Sequence, residues 1–322
     1  MNELENGYQL DHYRIERPIA RSGMASVYQA TDERTGCKVA IKIPHPLMEG
    51  DPILNERFRR EEQIGTALAH PGVMRVIAEP ERSELYMVME WAEGRLLRQI
   101  LNEEKKLDPE RAARITLSIC AALEYIHAHQ IVHRDLKPEN IMVDSEDHIK
   151  LIDFGIAANA GARRITFASL SATMGTPDYI SPEQVKGKRG DARSDLFAVG
   201  VMLYEMLTGK APFTGPNPFA VMNDRLLNSP VPARELDPSI TPQLQEILYR
   251  ALERDPRNRY ASAHEFALDL AHQDQVGVEE RPELHNWKKR RTGAPRQLLL
   301  YAALALIPVF VFALLLLVAR HQ

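Results

Sequence analysis

The sequence predicts an α+β chain in two unequal lobes, followed by one membrane-spanning helix. Three observations carry that reading. Alternating apolar runs cluster in the first ninety residues, as strands with one buried face require. Beyond Leu107 the apolar spacing becomes helical. Near the far end, 298–319 is a run of 22 residues without a charge.

The strand signal is clearest over 38–43 and 84–90. The first long helix is expected over 109–130, where Ala113, Ile115, Leu117, Ile119, Cys120, Leu123 and Ile126 fall mostly at helical spacing. Further helices are expected over 195–207, 241–252 and 262–272, each with a polar residue at its start, the first ending at Gly209. No internal repeat or low-complexity tract interrupts them. Of 322 residues 44% are hydrophobic and 26% charged, which is a globular composition able to bury a core. The net charge of −4 excludes a dedicated nucleic-acid binder, which is basic over its whole domain. Cys37 and Cys120 stand 83 residues apart with no metal-binding spacing around them, so both are expected as reduced packing residues.

The 298–319 run holds nine Leu, five Ala, three Val, two Phe and one each of Ile, Tyr and Pro. A helix of that length reaches roughly 33 Å, enough to cross a hydrocarbon core. Leu, Ile, Phe and Val near the centre contribute about −0.3 to −0.6 kcal/mol each, which offsets Pro308. Lys288, Lys289, Arg290, Arg291 and Arg296 precede the run, with Trp287 and Tyr301 as interface aromatics, while Arg320 and His321 follow it. The side richer in Lys and Arg stays in the cytoplasm, so residues 1–297 are expected there. The five cations either bind anionic lipid, at about 1 kcal/mol each, or form a solvated basic linker. Three residues follow the span, so no external sensor domain is expected. The acidic start, with Glu3, Glu5 and Asp11 and no apolar run, does not read as a secretory leader.

The chemistry lies in short loops. His133-Arg-Asp-Leu-Lys-Pro-Glu-Asn140 brings a carboxylate, two cations and a carboxamide within eight residues. Twenty residues after His133 stands Asp153-Phe-Gly155, at the end of the apolar run Ile149-Lys-Leu-Ile152. Val39-Ala-Ile-Lys42 ends a strand on a lysine, and Glu61 follows 19 positions later on an expected helix. Phosphoryl transfer uses such groups: a carboxylate for a hydroxyl, oxygen ligands for Mg²⁺ and cations for phosphates.

With Gly175-Thr-Pro-Asp-Tyr-Ile-Ser-Pro-Glu183, these motifs resemble the protein-kinase family, and within it the bacterial, eukaryotic-like Ser/Thr kinases. The resemblance covers roughly 13–273, with the motifs in the family's order. It implies the two-lobed protein-kinase fold, with an N-lobe over about 13–92 and a C-lobe over about 93–273. An extension at 1–12, a polar and basic linker at 274–297 and the span at 298–319 complete the expected organisation. A single-pass protein of the bacterial plasma membrane is the location this implies.

The resemblance implies roles for single residues. Asp135 is the catalytic base, Asn140 and Asp153 hold Mg²⁺, Lys42 contacts the α- and β-phosphates of ATP while paired with Glu61, and Lys137 approaches the γ-phosphate. Glu62 adjoins Glu61 on the same expected helix, and either acid could instead be a solvated surface charge; the family spacing favours Glu61. Ile19, Val27, Ala40, Met89, Met142 and Ile152 are expected to line an adenine slot, with hinge contacts from the backbones of Glu90 and Ala92. Residue types alone would equally make these core. Lys137, and Thr176 before Pro177, resemble Ser/Thr rather than Tyr kinases.

One motif departs from the family. Where kinases carry GxGxxGxV over the phosphates, this chain reads Ala20-Arg21-Ser22-Gly23-Met-Ala25-Ser-Val27, and the signature glycines are replaced by small residues. A Cβ at 20 or 22 restricts the loop. Two functions therefore stand: a membrane-tethered, non-specific Ser/Thr protein kinase using ATP and Mg²⁺, or a nucleotide-binding pseudokinase scaffold with weak or no transferase activity. In the activation segment over 153–183, Thr166, Ser169, Ser171 and Thr173 are either phosphosites, read by Arg134 with Arg163 or Arg164, or a flexible Ser/Thr-rich surface loop. Autophosphorylation in trans, within a homodimer, is expected on Ser171 or Thr173. Glu183 is expected to pair with Arg259, and Asp195 to brace the catalytic loop, while Ser181 stands where the family usually has Ala. Protein substrates are the implied partners.

Overall fold

A computed structural model describes residues 4–23, 25–45, 51–153 and 177–279. Its first part is an antiparallel sheet of six strands: β1 (Gln9–Leu10), β2 (Tyr13–Arg21), β3 (Ala25–Asp32), β4 (Lys38–Pro44), β5 (Val76–Ile77) and β6 (Met87–Glu90), in the order β1-β2-β3-β4-β6-β5. Helix α1 (Pro52–Ala67) follows β4. Alternation along β4 divides its side chains between two faces. Val39, Ile41 and Ile43 pack with Tyr13, Ile15, Tyr28 and Val88 in one cluster. Ala40 points the other way, into a second cluster with Phe58, Met87 and Met89. Lys42 shares that second face by register.

The second part is helical. Strand β7 (Arg95–Leu96) leads into α2 (Leu97–Glu104), then α3 (Pro109–Ala128). Strands β8 (Ile141–Val143) and β9 (Ile149–Leu151) pair with β7 into a small sheet of order β7-β8-β9. Then come α4 (Pro182–Val185), α5 (Ala192–Thr208), α6 (Pro218–Leu227), α7 (Ala233–Leu236), α8 (Pro242–Ala251) and α9 (Ala263–Ala271). Sheet is thus not confined to the first ninety residues; the β7–β9 strands are too short for a clear alternating pattern.

Capping sets the helix starts. Asp108, Asp191, Asn217, Thr241 and Ser262 each accept a backbone N–H from the first turn that follows. The cap at Asp191 starts α5 three residues before the 195–207 expected. Its end is as expected: Gly209 takes the left-handed conformation, φ 67°, where a Cβ would stand 2.8 Å from the Lys105 carbonyl oxygen. Helix α5 is buried on nearly all sides, so it forms the centre of this part rather than its surface. Gly200 lets α8 approach, since a Cβ there would meet that of Ala251 at 2.7 Å.

The Glu183–Arg259 pair is present and bidentate, with both N···O distances 2.8 Å. Arg259 also donates to the carbonyls of Glu253, Arg193 and Arg254, and Ser194 Oγ donates to Glu183 Oε1 at 2.6 Å. Burial alone would raise the Glu183 carboxyl; the Arg259 bonds and charge override it and hold the pKa at about 2. No helix among the described residues is long and apolar enough to cross a membrane. The 298–319 run lies outside the described residues.

Replacing Arg259 by Ala strands a buried carboxylate and should cost about 3–5 kcal/mol, read as a lower Tm. Glu183 has a depressed folded pKa, so its stabilisation is complete above the ordinary carboxylate value near 4.5 and is lost as pH falls towards 2. Tm measured across that window should fall less steeply in Arg259→Ala than in the parent chain.

Candidate active site

The cleft between the two parts collects the residues singled out above. Lys42 sits in β4 between Val27 of β3 and Met87 of β6. Its Nζ lies 2.6 Å from Glu61 Oε1 and 3.5 Å from Asp153 Oδ1. The neighbouring carboxylate goes elsewhere: Glu62 is held bidentately by Arg82, at 2.6 and 2.8 Å. The two adjacent acids of α1 therefore tie it down on two sides, and Glu61 is the one turned to the cleft. Phe58, one turn before Glu61, anchors the helix in the second apolar cluster.

Charge in this corner is tightly coupled. Burial opposes the Lys42 ammonium, yet Asp153 and Glu61 raise its pKa well above the ordinary lysine value. Burial, with the charge of Asp153, pushes Glu61 up to about 7 against the pull of Lys42. Asp153 moves the other way: burial would raise it, but Lys42 and other partners lower it. One ammonium serves two carboxylates, and Asp153 keeps its charge.

The catalytic loop is shaped by a carboxylate beneath it. Asp195 accepts the backbone N–H of His133 at 2.9 Å and of Arg134 at 2.7 Å, and lies 2.8 Å from His127 Nε2. Arg134 adopts φ 65°, the left-handed region that non-glycine residues rarely enter. Its carbonyl accepts from Gln184 Nε2 at 3.1 Å, so both of its backbone groups are bonded. Asp135 then faces outwards beside Lys137, whose Nζ is 2.8 Å from Asp135 Oδ2. Asn140 Nδ2 donates to the Asp135 carbonyl at 2.8 Å. Ile152 N–H donates to the Asn140 carbonyl at 3.0 Å, which places Asp153 next to the loop.

These donors fit Mg²⁺. With its amide nitrogen engaged, Asn140 has its oxygen left to offer, and Asp153 adds a charged carboxylate. Among the described residues no group of three or more His, Cys, Asp or Glu could hold a metal unaided. A hard cation held by one or two protein oxygens, and otherwise by phosphate and water, needs none.

The expected adenine slot is contiguous. Ala40, Met89 and Ala92 are buried together, with Val27, Met142 and Ile152 packed against them. Ile19 stands apart at 43% exposure and belongs to none of the apolar clusters. Glu90 N–H donates to the Arg75 carbonyl, and Glu90 Oε1 bonds Lys150 Nζ at 2.7 Å, which fixes the hinge strand. The described residues of the altered glycine loop are tied together by hydrogen bonds. Ala20 and Arg21 continue β2, paired with Val27 and Ser26. Ser22 closes the tip: its N–H donates to the Ala25 carbonyl at 2.9 Å and its Oγ accepts the Ala25 N–H at 3.0 Å. A Cβ on Gly23 would meet nothing within 4 Å.

Sequence reasoning missed several residues here: Arg82 beneath α1, Gln184 on the Arg134 carbonyl, and Arg60 and Arg189, whose charges act on Arg134. None of them carries a motif signal, since each acts through a contact distant in the chain. Thr166, Ser169, Ser171, Thr173, Arg163 and Arg164 lie outside the described residues, as do Phe154 and Gly155.

Comparison with known proteins agrees with this geometry. The family model described as protein kinase domain matches residues 13–270. A probable serine/threonine-protein kinase of Streptomyces coelicolor is 42% identical over 263 residues, 80% of this chain and 39% of that protein. The serine/threonine-protein kinase PknB of Mycobacterium tuberculosis is 37% identical, over 81% of this chain and 42% of its own. The chain thus spans about two fifths of the length of these relatives. Among solved structures, the PknI kinase domain of M. tuberculosis superposes with a TM-score of 0.65 at 26% identity, covering 85% of this chain and all of that one.

Glu61→Gln should lower phosphate transfer by about tenfold or more, the loss expected from about 1.4 kcal/mol of transition-state stabilisation. Glu62→Gln should act mainly on Tm. Initial rates that fall equally in both variants would contradict the division of labour between the two acids.

Proposed function

The chain belongs to the protein kinase family, and we propose that it transfers the γ-phosphoryl group of ATP to Ser and Thr hydroxyls of proteins while tethered to a membrane. The observation that carries this reading is the convergence of Lys42, Asp135, Asn140 and Asp153, far apart in sequence, on one cleft. In it, Asp135 orients the acceptor hydroxyl and takes its proton. Lys137, beside that carboxylate, meets the γ-phosphate, and Lys42 holds the α- and β-phosphates. Mg²⁺, when bound, neutralises phosphate charge. Asn140 and Asp153 are the residues that would hold it, and adenine would lie against Ala40, Val27, Met89 and Met142. A scaffold without transferase activity is not favoured, because every one of the expected catalytic side chains is present in this arrangement.

Control by phosphorylation is supported at Arg134. Its Nε is buried without a hydrogen-bond partner among the described residues. Burial, and the charges of Arg189 and Arg60, lower its pKa. Three cations near one point invite an anion, and a phosphate on Ser171 or Thr173 is the candidate. Attachment to the membrane is supported by the uncharged 298–319 run and the five cations before it.

Full-length chain should phosphorylate itself and protein substrates, and Asp135→Asn should lower the rate by about 10²–10⁴-fold. Active chain mixed with Asp135→Asn chain should label the inactive partner on the 153–183 segment; labelled active chain beside an unlabelled partner would rule out transfer in trans. Removal of 298–322 should release the protein from the membrane pellet into the soluble fraction.

A further inference from the structure

The stretch that begins with the turn Pro177–Tyr179 is tied to the catalytic loop at two points. The Tyr179 hydroxyl meets Arg98 Nη2, and Arg98 Nε donates to Glu139 Oε1 at 2.9 Å. Further along, Ser181 donates twice to Gln184 Oε1, from its N–H at 3.0 Å and its Oγ at 2.9 Å. Gln184 Nε2 in turn donates to the carbonyl of Arg134, the residue before Asp135. Residues 179–184 therefore run alongside 134–139, the loop that carries Asp135.

A buried cation stands behind this stretch. Arg225, in the last turn of α6, is fully buried. Its Nη1 donates to the Ile180 carbonyl at 2.6 Å and its Nη2 to the Asp178 carbonyl. Its guanidinium lies 5.4 Å from the ring centre of Phe213 and 6.0 Å from that of Phe197. Burial lowers its pKa to about 10, against the pull of Asp178 and Asp224. The charge is thus kept there at a cost, which an apolar side chain of similar length such as Met would not carry. Arg259 also lies over Phe197, but it answers the carboxylate of Glu183. Arg225 gives two donors to main-chain carbonyls two residues apart, which fixes the course of the backbone between them.

We propose that Arg225 is a positioning residue for the protein acceptor: it sets the main chain over 178–180, along which the acceptor is aligned with Asp135. The proposal rests on the kinase reading and adds to it a residue, outside every motif, that serves the acceptor and not the nucleotide. The bonds described at Lys42, Asn140 and Asp153 do not run through α6. Loss of Arg225 should therefore separate transfer to a peptide from hydrolysis of ATP by water, which needs no aligned acceptor. A merely structural arginine would, when removed, lower both rates together with Tm.

The full-length chain in detergent is preincubated with ATP, then assayed on the Ser peptide of a mixed-sequence set that it labels fastest. Arg225→Met should lower kcat/KM for that peptide by about tenfold or more, within the roughly 10²-fold that a 1 Å misplacement costs. KM for ATP and acceptor-free ATP hydrolysis should stay within about twofold of the parent values. Tm should hold or rise, since the buried charge is gone. Arg225→Lys should recover part of the peptide rate, because an ammonium donates to carbonyls without the fixed fork. Unchanged peptide kcat/KM in Arg225→Met overturns the proposal and leaves the kinase reading intact, as do equal losses of peptide transfer and ATP hydrolysis. Should Arg225→Met fail to fold, Arg225→Lys is read the same way, and failure of both assigns the residue to the fold alone and refutes the idea. A parent chain that hydrolyses ATP and labels no peptide overturns both.

Discussion

The catalytic loop depends on one buried carboxylate. Asp195 is 1% exposed and is bonded by two successive backbone N–H groups, those of His133 and Arg134. Hydrogen bonds to a charged acceptor are stronger than neutral ones, and leaving the acceptor unmade in the interior is costly. That energy supports the unfavourable left-handed conformation of Arg134, which turns the chain so that Asp135 faces the cleft while His133 is fully buried. Burial lowers the His133 pKa, so its imidazole stays neutral and serves as a packing and hydrogen-bonding group.

Asp195 is one of several contacts made by a single helix. From α5, Ser194 bonds Glu183, Phe197 lies under the guanidinium of Arg259, and Glu205 takes Arg98. The same Phe197, with Phe213, faces Arg225 of α6, a fully buried cation whose amino groups donate to the carbonyls of Asp178 and Ile180. The catalytic loop, the turn Pro177–Tyr179 and the Glu183–Arg259 pair are therefore all referenced to one rigid rod. Its near-complete burial follows from that work. A helix with a wet face could reach loops on only one side.

Much of this was legible in the sequence because local patterns encode it. The apolar alternation at 38–43 places Lys42 on the same face as Ala40, and the 20-residue spacing from His133 to Asp153 matches two short strands ending side by side. The starts of α3, α8 and α9 lie where the sequence puts them, after Asp108, Thr241 and Ser262, whereas α6, capped by Asn217, was not expected. What was not legible is pairing across space. Residue type in Glu61-Glu62 does not say which acid reaches Lys42, and only the family spacing favours Glu61; the direction of α1 decides it, and Arg82 holds the other. Arg98, Gln184 and Arg225 look like ordinary surface residues in the sequence, and only tertiary packing gives them buried partners.

The altered phosphate loop illustrates how a local departure is absorbed. Glycine is needed where the backbone must enter positive φ or where a Cβ would collide. Neither holds at the described residues of this loop: Ala20 and Arg21 are paired strand residues, and a Cβ on Gly23 would meet nothing within 4 Å. The hydroxyl of Ser22 replaces conformational freedom with a specific hydrogen bond across the turn. Ser22 and Ala25 are thereby held to each other, so the end of β2 and the start of β3 are tied by hydrogen bonds rather than by glycine geometry.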